Sequence, residues 1–425
     1  MRLFKLAEHN TTIKTEFLAG VTTFFTMAYI AIIAPAILSE AGMNYGSAFV
    51  ATCIITALAS FLSGTLSNLP VALAPGLGLL SYFSYVVVGQ LGYSWQAGLG
   101  AVLISGLLFF VITVTKLRQF ILAAIPKSLG CAIAAGVGFF IGFIALKNTG
   151  LIVENTHTLI SLGAVDTSSI GLFFLGFFII AILDGHRVPG AIIIGMLLIS
   201  VIAKLFHISE FTHLFSMPPS IKGALFMADV HPLMNWASVP VIFTFIIVAL
   251  FDSTGTLIGL SFHLDQPPEK LKAKINRALL AESIATAASS AIGMTTVCPF
   301  VECAAGIKSG GRTGLTAWVV SGLFLIMLFL SPLAASIPVF ATSAALFYVA
   351  CIMVKPFAQV NWEDASDYIP AVITLLMIPL TFSIADGVGL GVICYVTLKF
   401  AMGQYKDIHP VLYLMALLFI GYFLI

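Results

Sequence analysis

Long apolar stretches recur along almost the whole chain, and they constrain the fold more than any other feature of the sequence. A helix needs about 20 mostly apolar residues to cross the roughly 30 Å of hydrocarbon in a bilayer. We read such stretches near residues 16–37, 47–67, 70–88, 95–115, 128–147, 168–184, 188–206, 238–259, 276–292, 295–308, 313–333, 336–354, 368–385 and 387–401. The pattern predicts an all-α polytopic membrane protein with fourteen transmembrane segments, numbered below as spans 1 to 14. A shorter apolar stretch, 410–425, is compatible with spanning the bilayer, lying at its interface or packing on the bundle.

The composition excludes a soluble protein of this length. Only 9% of the residues are charged and 60% are hydrophobic, whereas the exterior of a soluble domain is largely polar. The formal net charge of +1 gives no reason to predict a nucleic-acid partner. The first 14 residues are polar and lack the apolar core of a secretory signal.

The six cysteines lie in apolar runs without the spacing of metal ligands. Buried, reduced thiols are the better interpretation of this pattern. The intramembrane Asp, Glu and His residues show no metal-ligand spacing either. We therefore predict neither a metal site nor a cofactor.

Basic residues between the spans predict the orientation of the chain, because cytoplasmic loops are enriched in Lys and Arg. Those that follow even-numbered spans are Lys116, Arg118, Lys127, Arg187, Lys270, Lys272, Lys274, Arg277, Lys308, Arg312 and Lys355. The odd-numbered loops carry few charges. This distribution predicts a multi-pass protein of the cell (plasma or inner) membrane with a cytoplasmic N-terminus.

Several residues recur at corresponding places in the two halves of the chain. The matching pairs are Pro75 and Pro299, Pro126 and Pro338, and Asp184 and Asp386. Two halves of seven spans with opposite orientations are a common plan of transporters. The pairs therefore predict a 7+7 inverted repeat.

Spans 3 and 10 contain helix-breaking residues at matching positions. The segment 74–78 reads Ala-Pro-Gly-Leu-Gly, and Pro299 interrupts span 10. Proline removes a backbone donor and glycine loosens a helix. Non-helical backbone at membrane depth survives only where protein or a water-filled cavity satisfies it. Broken segments at matching positions indicate a binding site at the midplane, and a proline kink used for packing is the alternative.

Two carboxylic acids, Asp252 in span 8 and Glu302 in span 10, lie deep within apolar stretches. Ionisable groups at this depth are costly and by default mark function. Such a group can accept N–H donors from a polar ligand, and it can also bind and release a proton. Pairing with a neighbouring helix is the structural alternative. Glu282 fits either function or an interfacial position, and Asp184 and Asp386 are interpreted as caps of turns.

Five ordered blocks carry a resemblance to a known family. They are 15–29, 74–78, 250–257, 302–316 and 361–364. On these blocks the chain resembles the AzgA-like purine permeases, a branch of the nucleobase–cation symporters related to the xanthine and uracil permeases. The resemblance covers nearly the whole chain.

The resemblance implies a fold of two domains with short strand-like breaks in spans 3 and 10, which would face each other beside the substrate. A core domain would comprise residues 1–115 and 238–333. A gate domain would comprise residues 116–206 and 336–425. The implied function is import of purine nucleobases such as adenine, guanine or hypoxanthine by proton symport, and not an enzymatic reaction.

The resemblance also implies the residues of the site. Asp252 and Glu302 would contact the base, and one of them, with Asp252 favoured, would exchange the coupling proton. The aromatic ring of Phe300 could stack on the base, with Val301 beside it. Further substrate-binding positions are Thr26, Leu80, Ser81 and Ala249. The partners implied are the nucleobase, a proton or Na⁺ as coupling ion, membrane lipid and a second copy of the chain in a homodimer.

The chain departs from the family pattern at Ala34, Leu80 and Ala249, where the family has amide or carboxyl groups, and at Pro299, where it has a hydroxyl group. Each lost hydrogen-bond partner costs a polar ligand about 1–3 kcal/mol. These replacements motivate a second hypothesis, a carrier for a less polar heterocycle or a small organic anion. A non-transporting membrane receptor or enzyme is a remote third hypothesis, since neither a soluble signalling domain nor a metal-spaced cluster is visible.

Overall fold

The computed structural model describes residues 4–115, 126–155, 157–164, 168–206, 208, 214–235, 238–261, 263–264 and 268–424. Nine helical stretches within these ranges are long and apolar enough to cross a membrane. Shorter apolar helices account for several of the remaining predicted spans.

The first half begins with a 3₁₀ turn at Leu6–His9 and ends before the long connection to span 8. Its helices are α1 (Ile13–Met27), α2 (Ile30–Glu40), α3 (Tyr45–Ser67), α4 (Leu77–Ser81), α5 (Trp95–Val114), α6 (Lys127–Asn148), α7 (Ser168–Gly185) and α8 (Ala191–Leu205). A π-helical segment, Tyr82–Gln90, continues α4. The strands of this half are β1 (Leu73–Pro75), β2 (Ile152–Asn155) and β3 (Leu159–Leu162), of which β2 and β3 form a hairpin between spans 5 and 6.

The second half repeats this order of elements. It comprises α9 (Val239–Ser261), α10 (Pro268–Ile292), strand β4 (Val297–Pro299), α11 (Cys303–Lys308), α12 (Gly314–Met327), α13 (Ser331–Ala335), α14 (Val339–Met353), α15 (Ala365–Thr381), α16 (Ile384–Ala401) and α17 (Pro410–Leu424). In each half the third span is a short strand followed by a short helix.

Three predicted spans differ from the structure in their boundaries. Span 1 is two helices, because the chain turns at Ala28 and Tyr29 between α1 and α2. Span 9 begins earlier than residue 276, so Glu282 lies near the middle of α10. Span 13 ends at Thr381 instead of residue 385, because Phe382 adopts a left-handed φ of 54°. The Ser383 side chain then caps α16 by accepting a hydrogen bond from the backbone of Asp386.

The two broken spans meet as an antiparallel pair of strands. In β1 and β4, Leu73 pairs with Pro299, Ala74 with Cys298, and Pro75 with Val297. The pairing satisfies part of the backbone that the prolines and glycines keep out of a helix.

Side chains from neighbouring helices satisfy the rest of this backbone in the same way in both halves. The Ser60 hydroxyl on α3 bonds both the N–H and the C=O of Leu73, at 3.1 and 3.0 Å. The Thr286 hydroxyl on α10 bonds both groups of Val297, at 3.3 and 3.4 Å. Leu73 and Val297 are each the first residue of their strand. These matching bonds place the strands at the centre of the repeat.

Each of several helix contacts has a counterpart in which the helices of the two halves are interchanged. Helix α3 packs on α12 as α10 packs on α5, and α1 packs on α12 as α9 packs on α5. Helix α7 packs on α8 as α15 packs on α16, and α6 packs on α15 as α14 packs on α7. Pairs related in this way are expected of a chain built from two similar units of seven spans.

The packing also sorts the spans into two groups. Helices of spans 1–4 and 8–11 pack mainly on one another, and so do those of spans 5–7 and 12–14. Contacts between the groups include α6 against α4 and α9, α1 against α8, and α2 against α14. At one of these contacts a Cβ added to Gly78 would overlap Val137 Cγ1, so only glycine lets α6 approach α4 this closely.

The C-terminal stretch is helix α17, which packs on α16. Its Phe419 ring lies against Phe243 of α9, with 5.6 Å between ring centroids in an edge-on arrangement. The helix therefore packs on the bundle and contacts both groups of spans.

Candidate functional site

Glu302 lies three residues after the end of β4 and immediately precedes α11. Its side chain is half-buried. Its Oε1 atom accepts a hydrogen bond from the Tyr29 hydroxyl at 2.5 Å, and the Thr26 hydroxyl lies 3.4 Å from its backbone oxygen. Span 1 therefore holds the side chain of Glu302 through Tyr29 and contacts its backbone through Thr26.

Asp252 reaches the strand pair from α9. Its half-buried carboxylate lies beside the Cys298 thiol of β4. A Cβ added to Gly76 would lie 2.9 Å from Cys298 Sγ and 3.7 Å from Asp252 Oδ2. The glycine after β1 thus leaves room for the thiol and the carboxylate beside the backbone.

A third carboxyl group, that of Glu282, is completely buried near the same strand. The Ser253 hydroxyl, next to Asp252 on α9, donates a hydrogen bond to Glu282 Oε1. The side chain of Glu282 therefore lies inside the helix bundle. Electrostatic interactions connect Cys298 with Asp252, Glu282 and Glu302, and Asp252 with Glu302. The three carboxyl groups therefore cluster around β4.

The other predicted positions divide by exposure. Phe300 is buried, whereas the neighbouring Val301 is 56% exposed. Leu80, Ser81 and Ala249 are buried, and Thr26 is half-buried in contact with Glu302. With Asp252 and Glu302 included, all eight assignments as substrate-binding positions stay predictions.

Several buried hydroxyl groups next to these residues lack a protein partner. Thr296 immediately precedes β4, and its Oγ1 atom makes no hydrogen bond within the protein; the same holds for Thr295. Thr23 Oγ1 is likewise unpartnered, and a Cβ added to Gly306 of α11 would overlap it. Buried hydroxyls are normally hydrogen-bonded, so these groups have capacity for water or a polar ligand.

Among the residues that the structure describes, no three or more His, Cys, Asp or Glu side chains are grouped to hold a metal ion. The chemistry of the cluster is hydrogen-bond acceptance. Carboxylate oxygens accept N–H donors, and at this depth their partners must come from the protein or a ligand.

Tyr29, Cys298 and Glu16 contact the site or its supporting segments but are not among the residues predicted from the sequence. Tyr29 ends the block 15–29, so its place in a recognisable motif was a signal, but its contact with Glu302 spans 273 positions of the chain. Cys298 directly precedes Pro299 in β4 and pairs with Ala74 of β1. Its sequence context indicates only a buried thiol.

Glu16 of α1 holds the segment that precedes α12, within the block 302–316. Its buried carboxylate accepts the backbone N–H of Arg312 at 2.9 Å and of Thr313 at 3.3 Å. It also accepts the Thr316 hydroxyl at 2.6 Å. This carboxylate caps the start of α12, which gives the segment a structural purpose.

Comparison with known proteins identifies the chain as a member of a permease family. The profile of a family described as "Permease family" matches residues 14–389. The adenine permease AdeP of Escherichia coli (strain K12) is 42% identical over 420 residues, which cover 99% of this chain and 94% of that protein. The guanine/hypoxanthine permease PbuO of Bacillus subtilis (strain 168) is 35% identical, covering 98% of each.

A solved structure shares the fold. The transmembrane domain of a cyanobacterium bicarbonate transporter, BicA, superimposes with a TM-score of 0.65 at 15% identity, over 89% of this chain and 97% of that one. At this identity the likeness concerns the fold alone. This likeness, together with the matching helix contacts of the two halves, confirms the predicted inverted repeat of fourteen segments.

Proposed function

This chain belongs to the permease family, and from that premise we propose that it carries purine nucleobases, such as adenine, guanine or hypoxanthine, into the cell. It is a multi-pass membrane transporter and not an enzyme. The observation that carries the proposal is the pair of half-buried carboxylates, Asp252 and Glu302, beside the crossing of β1 and β4. Full-length relatives that carry the names of adenine and guanine/hypoxanthine permeases support it.

A purine suits these carboxylates because its ring and exocyclic nitrogens present N–H donors along more than one edge. Glu302 and Asp252 would each accept one or more of these donors. The Phe300 ring after β4 would cover one face of the base. The unpartnered Thr296 hydroxyl next to this strand would bond water or a polar edge of the base.

Movement of a core domain against a gate domain would carry the base across the membrane. We assign residues 1–115 and 238–333 to the core and residues 116–206 and 336–425 to the gate. The sorting of helix contacts into two groups supports this division. The close approach of α6 to Gly78 would be one of the surfaces along which the domains slide.

Proton symport is the proposed coupling, with the N-terminus cytoplasmic and the protein in the inner or plasma membrane. A half-buried carboxyl group can bind a proton on one side and release it on the other. Asp252 is favoured for this exchange over Glu302, because Glu302 Oε1 already has a hydrogen-bond donor in Tyr29.

A less polar heterocycle is the second candidate cargo. Ala34, Leu80 and Ala249 are buried and apolar where the resembled family has polar groups. Of the alternatives considered, a small organic anion fits least, because the two carboxylates would repel it.

Uptake of labelled bases tests the proposal. The chain would be expressed in cells without their own purine and pyrimidine permeases and offered adenine, guanine, hypoxanthine, xanthine and uracil. We expect accumulation of at least one of the first three, abolished by a protonophore and unaffected by replacement of Na⁺. Failure of all five bases to accumulate, with the protein present in the membrane, would contradict the purine assignment.

A further inference from the structure

We propose that Tyr29 is a positioning residue for the substrate: its hydroxyl fixes the orientation of the Glu302 carboxylate and leaves the second carboxylate oxygen to the base. The inference rests on the proposed function, because it assumes that Glu302 contacts the cargo. It adds a residue of span 1 to a site whose predicted acceptors come from spans 8 and 10.

Backbone hydrogen bonds fix the position of Tyr29 in span 1. Tyr29 lies in the turn between α1 and α2, and its C=O accepts the N–H groups of Ile32 and Ile33, both at 3.0 Å. The Thr26 hydroxyl bonds back to the carbonyl of Thr23 at 2.8 Å, a contact that bends helices. From this position the Tyr29 side chain reaches Glu302 of span 10, and it is only 1% exposed.

Glu302 is anchored from its own side as well. Its backbone oxygen accepts the N–H of Ala305 at 3.0 Å, and the Thr26 hydroxyl approaches it at 3.4 Å. The side chain then extends to Tyr29, and the distance of 2.5 Å between the two oxygens is typical of a hydroxyl bonded to a carboxylate. Both ends of the glutamate are held.

Holding the carboxylate matters because a glutamate side chain has three rotatable bonds. An acceptor that is already oriented loses little conformational freedom when a ligand binds, so affinity is higher. Asp252 has a different neighbour, the Cys298 thiol, which is a weaker donor than a phenol. Of the two carboxylates, Glu302 is thus the one with a strong fixed donor.

Tyr45 provides a matched control. Like Tyr29, it is a tyrosine of the first half whose hydroxyl donates a hydrogen bond. Its ring is half-buried, and its hydroxyl donates to the backbone oxygen of Ala334 at 2.9 Å. The Tyr45→Phe variant removes one hydrogen bond without touching a carboxylate. A purely structural effect of losing a tyrosine hydroxyl would appear in both variants.

Kinetics of adenine uptake provide the first test. We expect Tyr29→Phe to raise KM about tenfold with Vmax changed less than about twofold, as for loss of a bond to a charged group. Tyr45→Phe should leave KM within about twofold of the unmodified protein. In a Glu302→Gln background the additional loss from Tyr29→Phe should be clearly smaller, since the hydroxyl then donates to a neutral amide oxygen and not to a carboxylate. An unchanged KM for Tyr29→Phe, or losses that simply add in the double variant, would overturn the inference.

A second measurement does not depend on the identity of the cargo. A carbodiimide that modifies membrane-embedded carboxyl groups would be applied to the full chain in vesicles, and modification of Glu302 followed by mass spectrometry. Tyr29→Phe frees Oε1, so Glu302 should react several-fold faster, whereas Tyr45→Phe should react at the original rate. Equal rates in all three proteins would overturn the inference even if no tested base is transported, while absent uptake with faster labelling would count against the proposed function alone.

Discussion

The two halves of the molecule share a scaffold but not a chemistry. Each half contributes a strand of three residues, and the two strands pair with each other in antiparallel orientation. In each half a hydroxyl of the preceding long helix, Ser60 or Thr286, bonds both backbone groups of the first strand residue. One turn before these hydroxyls, however, the first half has Thr56 and the second has Glu282. Five residues after the start of the strand, the first half has Gly78 and the second has Glu302.

This difference shows how a symmetric fold can bind an asymmetric cargo. The strands supply satisfied backbone at membrane depth from both halves, which the fold requires. The acidic groups around the strands, Asp252, Glu282 and Glu302, come only from the second half among the described residues. The first half contributes the close approach at Gly78 and the donor Tyr29. A second set of carboxylates would add like charges to a buried site and raise its cost.

Replacing the carboxylates of the second half should cause the largest effect on transport. Asp252→Asn and Glu302→Gln each put an N–H₂ group where the base presents its own N–H donors. We expect adenine uptake, measured as Vmax/KM, to fall about tenfold to hundredfold in each variant, as for loss of bonds to charged groups.

The exposed Glu363 of the second half provides the control for charge alone. Glu363→Gln should transport within about twofold of the unmodified protein. Normal uptake by both carboxylate variants would show that the second half does not hold the substrate through these groups.

Gly78 tests what the first half contributes in place of a carboxylate. Gly78→Ala would press a methyl group against Val137 Cγ1 of α6. Overpacking typically costs about 1–3 kcal/mol, and at a sliding surface we expect it to appear as a several-fold lower Vmax with KM nearly unchanged. Adding Val137→Ala should restore most of the rate. A rise in KM alone would assign Gly78 to binding and not to movement.

The hydroxyls of the scaffold should behave alike in the two halves. Ser60→Ala and Thr286→Val each leave an N–H and a C=O of a buried strand residue without their side-chain partner. We expect each to lower the free energy of unfolding by about 1–3 kcal/mol, measured as matching decreases in Tm of the purified protein in detergent. A decrease in only one variant would show that the scaffold is less symmetric than its hydrogen bonds.

The smallest effect concerns a polar cluster confined to the second half. Asp364 caps α15, and hydrogen bonds from the Ser366 hydroxyl and then the Lys399 ammonium lower its pKa to about 2. The Lys399 Nζ atom lies 3.0 Å from Asp364 Oδ2 and is almost fully buried. Because the folded-state pKa is lowered, the stabilisation is present above about pH 4 and is lost as the pH falls through about 2.

Thermal unfolding of Asp364→Asn measures this contribution. At neutral pH the variant should be less stable by up to about 1 kcal/mol, and the gap should close progressively between about pH 4 and pH 2. Glu363→Gln should show no such closing gap. A gap that persists at pH 2 would mean that the helix cap, and not the ionised carboxylate, supplies the stability.

The sequence was sufficient for features that depend on local pattern. Apolar stretches marked the spans, and Pro75 and Pro299 marked the two segments that pair as strands. The break at Phe382 was also signalled locally, by the cap that Ser383 provides for α16. The end of span 13 at this turn was nevertheless not predicted, because a hydropathy window of about 20 residues averages over a short turn between two apolar helices.

Features that depend on distant contacts were not predictable from pattern. The bond from Tyr29 to Glu302 joins positions 273 residues apart, and that from Glu16 to Arg312 joins positions 296 apart. Both residues stand in motifs that resemble a family, so their importance was visible while their partners were not. Glu282 was ambiguous because its helix extends to Pro268, well before the apolar stretch begins.

We propose above all that the cargo binds beside the paired strands β1 and β4 and is held by carboxylates of the second half alone. A cryo-EM map of the purified protein with saturating adenine tests it most directly. We expect density for the base beside the paired strands β1 and β4, within hydrogen-bond distance of Asp252 and Glu302. Density for the base that touches neither carboxylate, or that lies in another part of the bundle, would contradict it.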